Sequence, residues 1–255
     1  MVIDADCHLS PQSGDLDVTA DELIPMLDEN GVDRALCWLK PPYTRHLEDA
    51  NRAIYEAQRR YPDRIIGFGW ANPRLGTSAA LDAVKQCLEE YGFPGVKLNG
   101  AQDNYFIDDE KISLPVIEKV AQQGAILAFH VGADAFERTH PFRVAKIADR
   151  FPETRILMVH MGGAGKVHLH EAAIEFAAQH ANLYLIGSDA ESRAILKAIA
   201  VLGADRVCYG SDTPFGLMRV ELARYEALLR DSTAEERRLV MGGSIAAILG
   251  PNRKD

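Results

Sequence analysis

Residues 125–163 read AILAFHVGADAFERTHPFRVAKIADRFPETRILMVHMGG, and they hold two short apolar runs, ILAF and ILMV, each ending in a histidine. Between the runs, Val144, Ile147, Ala148 and Phe151 recur at i, i+3, i+4 and i+7, the spacing of one buried helix face. Strand, helix and strand in succession imply two parallel strands joined by a right-handed crossover. Both runs are apolar throughout rather than alternating, as expected of strands covered by helices on their outer face. His130 and His160 would then stand at equivalent ends of two neighbouring strands.

Outward from this unit the same pattern repeats. Strands are predicted at 2–9, 34–40, 64–72, 95–100, 125–132, 155–163, 182–188 and 206–212, with an amphipathic helical pattern after each and a closing helix at 233–250. Eight such units in 255 residues predict an α/β fold, a single (β/α)8 TIM barrel domain over 1–255 with a C-terminal extra helix. An open doubly wound sheet is the alternative, but no Gly-x-Gly-x-x-Gly follows the first strand.

Composition narrows the function classes. A formal net charge of −9 argues against nucleic acid and against an anionic membrane surface. No basic stretch followed by an apolar run opens the chain, and no apolar segment reaches a bilayer-spanning length, so a cytoplasmic protein is expected. The four cysteines are scattered and are read as reduced thiols.

In an α/β barrel the working site lies at the C-terminal ends of the strands. There the chain places Asp6 and His8 (strand one), Lys97 (four), His130 (five), His160 (six) and Asp212 (eight). In VIDADCH (2–8), period-two alternation would put Asp4, Asp6 and His8 on one face and Cys7 on the other. Asp4 lies deeper and is read as a backbone hydrogen-bond acceptor. Any one of these groups has a structural explanation, but burying Asp6, His8, His130, His160 and Asp212 together would be costly without a cation. The joint reading is a metal site. Trp38 and Trp70 are expected to pack between barrel and helices. His168 and His170, at a helix start, are expected on the surface.

The stretches IDADCH, FPGVKLNG, LAFHVG, HPFRVAKIADRFPETRILMVHMGG, YGSDTPF and EERRLVMGGSIAAILG resemble the amidohydrolase superfamily over essentially the whole chain. The similarity is to the amidohydrolase-related branch of metal-dependent barrels, which includes aminocarboxymuconate-semialdehyde decarboxylase, resorcylate-type decarboxylases and lactone hydrolases. The resemblance implies Asp6, His8, His130 and Asp212 as metal ligands, with His160 beside the shell as a catalytic group. Asp6 departs from the more usual histidine, and Ser244 stands where an Asn is expected. Two carboxylates and two imidazoles neutralise one divalent ion, zinc as first choice and manganese as the alternative.

The function expected on this basis is a metal-dependent hydrolase acting on a small carbonyl, amide or lactone substrate through metal-activated water. Asp212 would serve as general base and His160 as polarising group. The alternatives are a non-oxidative decarboxylase (a lyase) of an aromatic or unsaturated acid, which would use the same residues, and a barrel kept only for binding. Lys97 is read as a weaker candidate for a substrate carboxylate or as a structural ion pair with a neighbouring strand-end acid, ahead of a role bridging two metals; Arg45 and Arg138 are further candidates for a substrate carboxylate, and Arg74 lies in a similar connection. Short loops after the early strands suggest a small-molecule substrate or a site completed by another subunit. The resemblance implies a homo-oligomer, a dimer.

Overall fold

A computed structural model describes residues 1–41, 46–132, 134–163 and 167–250. Parallel strands and helices alternate as expected: β1 (Ile3–Leu9), β2 (Arg34–Leu39), β3 (Ile65–Gly67), β4 (Gly69–Trp70), β5 (Gly95–Leu98), β6 (Ile126–His130), β7 (Ile156–Val159), β8 (Leu183–Ile186) and β9 (Val207–Cys208). Every strand pairing in the two ladders, β1-β2-β3 and β4 through β9, is parallel. The third predicted strand is therefore split at Phe68. The amide of Phe68 still donates to Cys37 O at 2.9 Å. At Trp70, however, the Asn51 side chain takes both backbone groups, accepting from the amide (3.0 Å) and donating to the carbonyl (2.9 Å). Asn51 is fully buried and replaces part of the strand ladder with a helix-to-strand clamp.

The ring is completed by isolated hydrogen bonds rather than by a continuous ladder. Ala5 N donates to Tyr209 O (3.0 Å) and His8 N to Thr213 O (2.7 Å), which brings the end of the eighth strand position against β1. The result is the expected (β/α)8 barrel arrangement, with β1 and the strand-eight end side by side. The strands are almost wholly buried, and Trp38, Phe68, Trp70, Phe93 and Phe129 are among the largest side chains of the core. Gly132 shows how tightly the strand ends approach one another. Its φ is +78°, and a Cβ there would lie 2.1 Å from Gly162 O.

Two expectations need correction. Strict alternation along VIDADCH fails, because the β1–β2 register shifts between Asp4 and Cys7. Asp6 and His8 keep a common side, whereas the Asp4 carboxylate turns to Ser211 N (2.9 Å), to Asp6 N (3.1 Å) and to the Cys7 thiol. The closing helix is also not continuous. It starts on a Thr233–Glu236 capping box, runs through Ala234–Arg238, widens at Leu239–Gly243 and resumes at Ser244–Leu249. Gly242 lets this segment press onto the start of β1, since a Cβ there would sit 2.7 Å from Met1 O. Ser244 donates to Ala204 O at 2.9 Å, which gives it a local structural partner.

Candidate functional site

The strand ends bring Asp6, His8, His130, His160 and Asp212 to one place, although each comes from an independent apolar run. Ligand-capable atoms of Asp6, His160 and Asp212 lie within 4.8 Å of one another. His8 Nε2 is 3.5 Å from an oxygen of Asp6 and 3.5 Å from an oxygen of Asp212. The rings of His130 and His160 meet edge to face with centroids 4.8 Å apart. His8, His130, His160 and Asp212 line a cavity of about 290 Å³, together with Lys40, Asn99, Gln102, Asp134, Asp189 and Phe215, while Asp6 lies fully buried behind it. The backbone there is strained: His160 (φ 67°), Met161 (φ 48°), Asp189 (φ 52°) and Asp212 (φ 56°) all sit in the left-handed region. Non-glycine residues keep that conformation only where the surrounding structure enforces it.

The hydrogen bonds assign the imidazole protons. His8 Nδ1 lies 2.9 Å from Leu39 O, which can only accept, so Nδ1 carries the hydrogen and Nε2 a lone pair. His160 Nδ1 likewise donates to Ser188 O at 3.2 Å, leaving Nε2 as the nitrogen free to meet a ligand. Tying one ring nitrogen to a carbonyl is the usual way a metal-ligating imidazole is oriented. His130 Nε2 is buried with no hydrogen-bond partner.

Electrostatics point the same way. Burial, with Lys97 adding to it, pushes His8 down to about 3, and burial with the nearby His160 and Lys97 holds His130 well below the usual imidazole range. Burial would raise Asp6, but Lys97, His160, His8 and Ser188 outweigh it and keep that carboxylate ionised. Burial and then the Asp6 charge push Asp212 up to about 7. Burial thus holds His8 and His130 neutral while the Asp6 carboxylate beside them stays ionised. That donor set, with the unpartnered His130 nitrogen, fits a divalent cation.

Other predicted residues fall elsewhere. Lys97 is fully buried and does not line the cavity; its Nζ lies 3.6 Å from the Trp38 ring centroid, 5.5 Å from that of Trp70 and 3.9 Å from Asp6 Oδ1. Arg138 is not among the cavity-lining residues, and its carbonyl accepts from Ile107 N. Arg74 is exposed in a short 3-10 turn, and Arg45 lies outside the described residues. His170 is buried rather than on the surface, whereas His168 is exposed.

Trp38, for which packing was the preferred reading over lining the barrel mouth, is part of the site, its indole N–H donating to Asp6 Oδ1 (2.9 Å) and His8 Nε2 (3.1 Å). Ser188 was missed. Its hydroxyl donates to Asp6 Oδ2 and lies 3.1 Å from His160 Nδ1. The signal was present, since Gly187-Ser188-Asp189 after LYLI repeats the Gly210-Ser211-Asp212 that ends the eighth strand.

A family model described as amidohydrolase matches residues 3–250. The chain belongs to the amidohydrolase family. Among curated members, γ-resorcylate decarboxylase of Polaromonas sp. is 22% identical over 256 residues, covering 76% of this chain and 77% of the relative. The 2-amino-3-carboxymuconate-6-semialdehyde decarboxylase of Dictyostelium discoideum is 22% identical over 254 residues, covering 85% of this chain and 70% of its own. The fold matches solved structures of 2,6-dihydroxybenzoate decarboxylase from Rhizobium (TM-score 0.79, 17% identity, 97% of this chain and 98% of that one). It also matches 5-carboxyvanillate decarboxylase from Novosphingobium aromaticivorans, solved with manganese and a nitrobenzoic acid (TM-score 0.76, 18% identity, 98% and 96%).

These relatives overturn the hydrolase expectation. They are decarboxylases, and nothing in the donor set itself distinguished water attack on a carbonyl from loss of CO₂. That the curated relatives are enzymes also supports catalysis over a barrel kept only for binding. Among the described residues no helix is long and apolar enough to cross a membrane.

Proposed function

We propose that this protein is a metal-dependent, non-oxidative decarboxylase of a small aromatic or unsaturated carboxylic acid. The observation that carries the reading is the donor set of Asp6, His8, His130 and Asp212 beside a cavity of about 290 Å³, large enough for one substituted ring. The decarboxylase relatives supply the reaction class.

Those four residues would hold one divalent ion, with manganese now ahead of zinc because structurally similar decarboxylases contain it. When bound, the ion supplies Lewis-acid charge for the substrate's carboxylate and neighbouring oxygen. The protein's own task is to deliver a proton. Breaking the bond to the carboxylate leaves an electron pair on carbon, and that carbon must take up H⁺ as CO₂ departs. Asp212, at the cavity and with an oxygen 3.5 Å from His8 Nε2, is the group placed to pass that proton between solvent and the substrate carbon. His160, fixed through Ser188 O, presents Nε2 to orient the substrate. Phe215, 46% exposed and edge-on to His8 at 5.3 Å, offers an apolar wall for a ring.

The test is a panel of monocyclic hydroxybenzoates and unsaturated acids incubated with manganese-loaded protein, following CO₂ release. Release from one or more members, abolished by chelation, is expected. Hydrolysis of esters or lactones with no CO₂ from any acid would contradict the reading.

A further inference from the structure

Lys97 has an unusual position for a lysine that does not line the cavity. Its side chain is fully buried, and its Nζ makes no hydrogen bond. The ammonium instead lies over the face of Trp38 at 3.6 Å, with Trp70 on a second side at 5.5 Å. Its nearest ion-pair oxygen is Asp6 Oδ1, 3.9 Å away. The same oxygen accepts the Trp38 indole N–H, which also reaches His8 Nε2. Lys97, Trp38 and Asp6 thus form one stack, and the cation stands directly behind a carboxylate expected to hold the metal. Register builds this arrangement: Trp38 pairs with His8 across β1 and β2, and Lys97 pairs with Trp70 across β4 and β5. An aromatic face stabilises a desolvated cation where a hydrogen-bonding carboxylate would neutralise it.

We propose that Lys97 is an electrostatic positioning residue: an interior cation that weakens the site's hold on its divalent ion and leaves the loaded centre with one positive charge to attract a carboxylate. The inference rests on the metal-dependent reading above. Asp6 and Asp212 neutralise a divalent ion by themselves, so Lys97 sets the sign of the assembled centre. Because interior charges are poorly screened, the effect reaches across the Asp6 carboxylate without contact with the substrate. Lys97 then acts on both ligands in opposite directions, repelling the cation and favouring the anion.

Opposed effects give a test that a packing role would not reproduce. Mn²⁺ binding is measured by calorimetry on chelator-stripped protein for the native chain, Lys97→Met and Lys97→Arg, with thermal unfolding recorded for each. The Met variant should bind Mn²⁺ roughly tenfold more tightly or better, and the Arg variant should stay near the native affinity. With the manganese-loaded forms, Lys97→Met should weaken 2,6-dihydroxybenzoate binding about tenfold while leaving binding of the uncharged product, 1,3-dihydroxybenzene, unchanged. Should Lys97→Met fail to fold, Lys97→Gln, which retains a donor toward Asp6, provides the neutral side chain. Unchanged or weaker Mn²⁺ affinity in the folded neutral variant overturns the proposal. The native chain failing to bind Mn²⁺ at all would instead overturn the metal-dependent reading on which the proposal rests.

Discussion

Asp212 joins a left-handed backbone (φ 56°) to a carboxyl whose pKa lies near 7, held beside His8 and the ionised Asp6. If it delivers the proton, Asp212→Asn should lower kcat by about 10²–10⁴ while the thermal transition stays within a few degrees of native. Residual activity within tenfold of native would remove it from that role. Asp103 gives a separate prediction. Burial pushes its carboxyl from 3.8 up to about 6, offset in part by the Trp70 N–H at 3.2 Å. A carboxyl with a raised folded-state pKa stays protonated in the fold, so its cost to stability grows as pH rises from about 4 to about 6. Asp103→Asn keeps the acceptor and removes that ionisation. Its stability relative to the native chain should rise across this window by about 2 kcal/mol, read from urea unfolding at a series of pH values. A pH-independent difference would contradict it. Histidines and aspartates after apolar runs were legible as a site because a strand end offers few other reasons for them. Lys97 at a strand end was likewise legible as an ion-pair partner of a neighbouring acid, but the Trp38 hydrogen bond to Asp6 was not, because the two are 32 residues apart and no local pattern marks the pairing.

At the scale of elements, apolar runs of four to six residues were enough to locate the strands, and the helical spacing between them was enough to order them. What escaped was decided by competition for backbone groups. Asn51 takes the Trp70 amide and carbonyl and so splits the third strand, and with the register shift in β1 the Asp4 carboxylate turns to the backbone amides of Asp6 and Ser211. The interruption of the closing helix did have a signal, two consecutive glycines at 242 and 243 inside a helical pattern. Tight packing of the strand ends makes a further prediction at Gly132. Gly132→Ala would drive a methyl against Gly162 O from a left-handed backbone, between the segments that carry His130 and His160. The expected cost is about 3 kcal/mol, a fall in Tm of roughly 6–12 °C by calorimetry. A Tm within 2 °C of native would show that the two segments can move apart.

For the whole molecule, eight alternating units conveyed the barrel, and the end of the barrel that holds the site followed from strand direction alone. The reaction was not legible there, because hydrolysis and decarboxylation ask for the same carboxylates and imidazoles around an ion; the curated relatives are decarboxylases and speak against the hydrolase expectation. An ion bound only by the folded barrel must also stabilise it. Mn²⁺ at a hundred times its Kd should add about 2.7 kcal/mol to unfolding, seen as a rise in Tm that His130→Ala abolishes. The most direct test of the central claim is decarboxylation in D₂O with manganese-loaded protein and a hydroxybenzoate panel, followed by NMR. One CO₂ per product molecule and one deuterium on the carbon that carried the carboxylate are expected, in at least one member and only with the metal present. No CO₂ and no deuterium at that carbon from any acid would contradict it.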